Sequence, residues 1–145
     1  MSRLIFLTGT PASVAEGSGT WVGITVLKAA LEALGHEVTL VRPRRGAKGA
    51  VLSRLAFNLE LYERLQEMKA DAVVGFDLDG FLTGGDGPLH VAAIKGVLAD
   101  EAAHENGASR VALGAQALLE GWHVRHADRV VTSSVYSAER IAAFY

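Results

Sequence analysis

The feature that most restricts this chain is an alternation of two patterns. Short apolar runs take turns with longer segments whose apolar residues recur at helical spacing. The short runs are residues 4–8, 37–41, 72–76, 90–94 and 129–132. Runs of that length with few polar residues suit strands buried on both faces. Between them, residues 21–34 place Val22, Val26, Ala29, Ala30 and Ala33 at helical spacing. Residues 51–68 do the same with Leu52, Leu55, Leu59, Tyr62 and Leu65 on one side. Residues 99–127 are mostly helical, with Gly107, Gly114 and Gly121 as points that could bend or divide the segment. A last helix begins over 138–144. Strands alternating with helices predict a Rossmann-like, doubly wound α/β domain. Its sheet is mostly parallel and covered by helices on both faces.

The bulk properties agree with one such domain spanning residues 1–145. A chain of this length can close one hydrophobic core. Half its residues are hydrophobic and about a fifth are charged, as in globular chains. The net charge of −2 and the absence of a broadly basic face argue against a nucleic-acid partner. There is no cysteine, which excludes disulfides, thiolate metal sites and a cysteine nucleophile, and which fits a cytoplasmic protein. No apolar run reaches the roughly 18 residues of a membrane span. The short apolar run at the N-terminus reads as a strand rather than a signal peptide.

In doubly wound sheets ligands bind at the carboxyl ends of the strands. The loop expected over residues 9–19 carries Gly17, Ser18 and Gly19 at a predicted helix start. Free backbone amides there could hold a phosphate or carboxylate, and Ser18 or Thr20 could cap the helix. The same residues also make an ordinary flexible turn. A dinucleotide site would need G-x-G-x-x-G and an acid ending the second strand, where Val41, Arg42 and Pro43 stand instead. The Gly-Lys-Ser/Thr of a phosphate-binding loop is absent as well.

Residues 75–101 hold the densest chemistry. Asp77 and Asp79 follow the third predicted strand and have three readings: contacts to acceptor hydroxyls, caps of a turn beside Gly80, or a cation site with Asp86. That last reading would make a metal-dependent phosphotransfer or hydrolase centre. Lys95 ends the fourth strand, where it could meet a phosphate or pair with Asp77, Asp79 or Glu101. Asp100 and Glu101 suit a helix start. Ser133, Ser134 and Tyr136 lie in the turn after the fifth strand, with Ser134 or Ser137 as helix cap. His104, His123 and His126 read as solvated or helix-packing residues, with too few companions for zinc. Arg42, Arg44, Arg45 and Lys48 form a basic cluster, either a solvated loop or a weak contact with an anionic membrane surface.

The stretch "GSGTWVGITVLKAALEALGHEVTLVRP" resembles the opening of a family 4 GT-B retaining glycosyltransferase, through Gly17, Gly19, Gly35, His36, Glu37 and Val38. "IKGVLADE" and "LEGWHVRHADRVVTSSVYSAERIAAFY" resemble the end of that family's N-terminal half, through Ala127, Asp128, Val130, Ser134, Tyr136 and Arg140. The resemblance covers nearly the whole chain and rests on the order and spacing of its motifs. It implies the acceptor-side half of a GT-B fold. The complete enzyme would move a sugar from a nucleotide-sugar donor to a hydroxyl acceptor, with no covalently bound cofactor. Gly17, Ser18 and Gly19 would then approach the donor diphosphate. Asp77, Asp79, Lys95, Glu101, Ser134 and Tyr136 would face the acceptor cleft.

Two departures from the family pattern matter. The paired-glutamate motif of the second, donor-binding domain is missing, so the chain is expected to be inactive alone. Lys95 stands where many members carry a histidine, so no catalytic residue is carried over. The alternative expectation is a stand-alone Rossmann-like module that binds a ligand or forms a homodimer without transferase activity.

Overall fold

The computed structural model describes residues 1–10, 14–44, 50–85 and 87–145, and of residues 14–18 and 50 it describes the backbone alone. Five strands form one sheet: β1 (Arg3–Leu7), β2 (Glu37–Val41), β3 (Ala72–Phe76), β4 (Leu89–Ile94) and β5 (Arg129–Thr132). Five helices connect or follow them: α1 (Val14–Ala33), α2 (Ala50–Gln66), α3 (Leu98–His104), α4 (Gly107–His126) and α5 (Val135–Phe144). The strand order is β2-β1-β3-β4-β5 and every pairing is parallel. The fold is therefore the Rossmann-like, doubly wound α/β arrangement that the alternation predicts. After β2 the chain returns past β1 to place β3. The topological switch point thus lies between the carboxyl ends of β1 and β3.

Alternation along each strand sorts side chains between two cores. Ile5, Leu7 and Val73 pack with Phe57 and Leu61 of α2. Phe6, Val38, Phe76 and Ala93 pack with Ile24 of α1, and the Phe6 and Phe76 rings meet edge-on at 5.2 Å between centroids. Ala92 and Ile94 of β4 join Val97 and Ile141 of α5, with Val124 of α4 alongside. The first and third clusters share a face of the sheet with α2, α4 and α5. On the second face α1 packs over Phe6, Val38, Phe76 and Ala93.

Three expectations about the helices change. Helix α1 starts at Val14, so Gly17, Ser18 and Gly19 lie inside it rather than in a loop before it. Of the apolar set on α1, Val22 and Val26 are exposed, and Ile24 and Leu31 turn to the sheet instead. On α2, Leu52, Leu59 and Tyr62 face outward, and the buried side is Phe57, Asn58 and Leu61. Arg54 and Asn58 lie one turn apart on that buried side, and both are tied to the loop after β3. These polar anchors set the rotation of α2, against the simplest reading of its leucines.

Helix ends follow local chemistry. Gly35 (φ 86) ends α1 in a Schellman motif, with its amide on Glu32 O at 3.0 Å and the His36 amide on Leu31 O at 3.1 Å. Gly107 divides the long helical segment, while Gly114 and Gly121 continue through α4. Ser134 caps α5 by accepting the Ser137 amide at 3.0 Å.

Candidate functional site

The loop after β3 is tightly held at the switch point. Asp77 adopts a left-handed backbone (φ 56), uncommon outside glycine but tolerated by aspartate. Its amide donates to Ala93 O at 3.0 Å, and the Asp79 amide donates to Phe76 O at 3.0 Å, so the chain doubles back over its own strand. Gly75 makes this turn feasible. A Cβ there would stand 2.0 Å from the Asp79 carbonyl oxygen and 2.8 Å from the His123 ring.

Asp79 is wholly buried and joins three elements. Its Oδ2 accepts the Gly9 amide from the end of β1 at 2.6 Å and pairs with the Arg54 guanidinium from α2. Its Oδ1 has no partner among the described residues. Burial pushes the Asp79 carboxyl up, and the Arg54 charge and the Gly9 amide oppose that push. Next to it, the Gly80 amide donates to Asn58 Oδ1 at 2.7 Å. Asp77 Oδ1 accepts the Lys95 amide at 2.8 Å, which ties the ends of β3 and β4 together. Burial raises the Asp77 carboxyl to about 6, against that amide and the Arg54 charge.

A second polar chain supports the loop from below. His123 Nδ1 lies 2.6 Å from the Asp77 carbonyl oxygen, and His123 Nε2 lies 2.8 Å from His90 Nε2. A carbonyl only accepts, so His123 carries its proton on Nδ1 and offers a lone pair at Nε2. His90 must then donate from Nε2. Burial lowers both rings, His123 to about 4, so the pair is neutral at ordinary pH. The His90 amide in turn donates to Asp128 Oδ2 at 2.8 Å.

The third region surrounds α3. Glu120 of α4 is fully buried. Its Oε2 accepts the Leu98 amide at 2.8 Å and the Tyr145 hydroxyl, while its Oε1 has no partner among the described residues. Burial raises Glu120 to about 7, and burial together with Glu120 pushes the Tyr145 hydroxyl up. Glu101 folds against Gly96, where a Cβ would meet its Oε1 at 2.5 Å, and burial raises its carboxyl as well. Asp100 accepts from Tyr136 at 2.6 Å and from Arg140, and the Tyr136 hydroxyl leads in holding its carboxyl below the usual range.

The structure therefore brings Asp77, Asp79 and the Lys95 backbone together with Gly9 at the switch point. The Lys95 side chain leaves this group and runs to α1, where its Nζ lies 3.2 Å from the position a Cβ would take on Gly23. Of the two readings of Lys95, the ion pair is not made: its side chain pairs with none of Asp77, Asp79 and Glu101. Glu101 sits beside Gly96, one residue further on. Ser134 and Tyr136 are held apart from this group, as the α5 cap and the Asp100 anchor. Ser18 and Gly19 lie past the first turn of α1, where amides bond the carbonyl four residues back.

Asp86, Arg45, Lys48 and the Ser18 side chain lie outside the described residues. Arg42 packs over Trp21 at 4.7 Å and Arg44 pairs with Glu60 at 3.6 Å, so half of the basic cluster is engaged within the fold. Among the described residues, no three acids or histidines gather so as to hold a metal ion. No described helix is long and apolar enough to cross a membrane. Arg54, Glu120 and the pairing of His90 with His123 escaped the reading of the sequence, which had His123 only as a solvated or helix-packing residue. Only the histidine within an otherwise apolar β4 run hinted at any of them.

No family model and no curated protein matches this chain. Any functional assignment has to stand on the resemblance of its motifs and on the chemistry of the switch point.

Proposed function

We propose that this chain is the acceptor-side domain of a retaining GT-B glycosyltransferase, which moves a sugar from a nucleotide-sugar to a hydroxyl acceptor. The observation that carries the reading is the Asp79–Arg54–Gly9 constellation at the β1/β3 switch point, with Asp77 and Lys95 beside it. Carboxylates accept hydrogen bonds from sugar hydroxyls, and fixed backbone amides and cations orient them. A rigid, buried base under such groups suits an enzyme that works by positioning and charge stabilisation. In this reading Asp77 lines the wall of the acceptor cleft, and the wholly buried Asp79 braces that wall from beneath. The donor contacts come from a second domain, and the isolated chain transfers no sugar.

The test is a 15N-labelled NMR titration with UDP-glucose, with UDP alone and with free mono- and disaccharides. Saccharides are expected to shift the amides of Gly9, Asp77 to Gly80 and Lys95, with UDP alone shifting them least. Indifference of all these amides to every sugar would remove the reading. The rival reading, a self-associating binding module, draws on the exposed Val22, Val26 and Val131. It predicts a mass above the monomer in light scattering.

A further inference from the structure

Helix α1 leaves half of its sheet face uncovered. Between α1 and strands β4 and β5 runs a trough of about 340 Å³, floored by Phe76, Val91, Ala93 and Val131 and walled by Leu27 and Leu31. Val131 is 52% exposed there, a high value for a residue in the middle of a strand. The wall changes along its length. Gly19, Gly23, Leu27 and Leu31 follow one another at four-residue steps, so they form one stripe of α1. The leucines narrow the trough near the amino ends of the strands. Towards the carboxyl ends a Cβ on Gly19 would meet nothing within 4 Å, and Gly23 leaves room for Lys95 Nζ. Lys95 and Ser133 line this wider mouth. The carboxyls of the buried Glu120 and of Glu101 belong to α4 and α3, on the other side of the sheet.

We propose that this trough binds a single-chain amphipathic phosphate, with the phosphate at Lys95 and Ser133 and the aliphatic chain along Val91, Ala93 and Val131. Charge complementarity selects the head. An ammonium on a flexible stem suits a phosphate, a hydroxyl adds a donor, and the N-terminal end of α1 lies at the same edge of the sheet. The floor selects the tail, because it offers apolar surface without a polar group to satisfy. The proposal stands apart from the sugar-transfer reading. The saccharide titration can fail while this site binds, and the reverse also holds.

The experiment is calorimetry with octyl phosphate below its micelle concentration, with octanol and inorganic phosphate as comparisons. Wild type is expected to bind octyl phosphate once per chain, and each comparison at least about tenfold more weakly. Lys95→Met should weaken octyl phosphate about tenfold, as the loss of one charged hydrogen bond does. Val131→Asp, at a position exposed enough to tolerate it, should weaken octyl phosphate and octanol alike. Octanol binding as well as octyl phosphate, or a Lys95→Met variant that binds normally, would show that no phosphate is held at Lys95 and would overturn the proposal. A dimer in light scattering that Val131→Asp dissociates, and that octyl phosphate does not compete with, would overturn it in favour of a second copy as the occupant.

Discussion

His90 and His123 face each other through their Nε2 atoms at 2.8 Å, inside the fold between β4 and α4. One ring must donate and the other accept, and the Asp77 carbonyl decides which. This pair holds the switch-point loop by its backbone rather than by its side chains. Replacing His123 with Phe removes the donor to Asp77 and leaves the His90 proton without an acceptor. A loss of about 2–3 kcal/mol is expected, read from urea denaturation. Replacing both rings with Phe should cost less than the sum of the single changes, since the second substitution removes a group already orphaned.

Acid should act on this pair in a defined window. The folded His123 value, about 4, lies below the ordinary 6.5, so the unfolded chain takes up the proton first. The stability that this ring contributes is complete above pH 6.5 and is lost as pH falls towards 4. Unfolding free energies measured at intervals between pH 7 and 4 should decline for wild type. The decline should be shallower for His123→Phe.

Glu120 works in the opposite sense. Its folded value, about 7, lies above the ordinary 4.5, so its contribution is full below pH 4.5 and fades as pH rises through 7. Glu120→Gln keeps an oxygen for the Leu98 amide and the Tyr145 hydroxyl but cannot ionise. Its stability relative to wild type should rise from pH 4.5 to 8, by at most about 3 kcal/mol. A difference that stays flat across that range would show that Glu120 titrates normally.

Arg54 answers the only charge on Asp79. Arg54→Met strands a buried carboxylate and should destabilise the chain by about 3 kcal/mol. Adding Asp79→Asn to that variant should recover part of the loss, because the amide carries no charge to strand. A double-mutant cycle in urea gives the coupling directly.

Ser134 offers a smaller and cleaner case. Ser134→Ala removes the side-chain acceptor for the Ser137 amide and should cost about 1 kcal/mol, seen as a lower melting temperature. The fold should be otherwise unchanged.

The strands were legible because a parallel sheet writes itself as short apolar runs, and β2, β3 and β5 fall where those runs lie. The rotations of α1 and α2 were not legible. Both helices carry apolar residues around much of their circumference, so periodicity alone could not choose a side. On α2 the choice is made by Arg54 and Asn58, whose partners are 25 and 22 residues away in the loop after β3. Asp77 and Asp79 stood out in sequence as acids after a strand. Which of them would be entombed and which would tie two strands depended on Gly9 and Lys95, contacts that no local pattern announces.

Gly75 carries a consequence for how this protein could be altered. Its missing side chain is occupied from two directions, by the Asp79 carbonyl and by the His123 ring. The loop after β3 cannot lift without opening a hole at the strand, and the strand cannot gain a methyl group without expelling the loop. The carboxyl end of β3 therefore behaves as a fixed anvil. Room for change lies instead on α1 and at the β4–β5 edge, where Gly19 faces open space and Val131 is exposed.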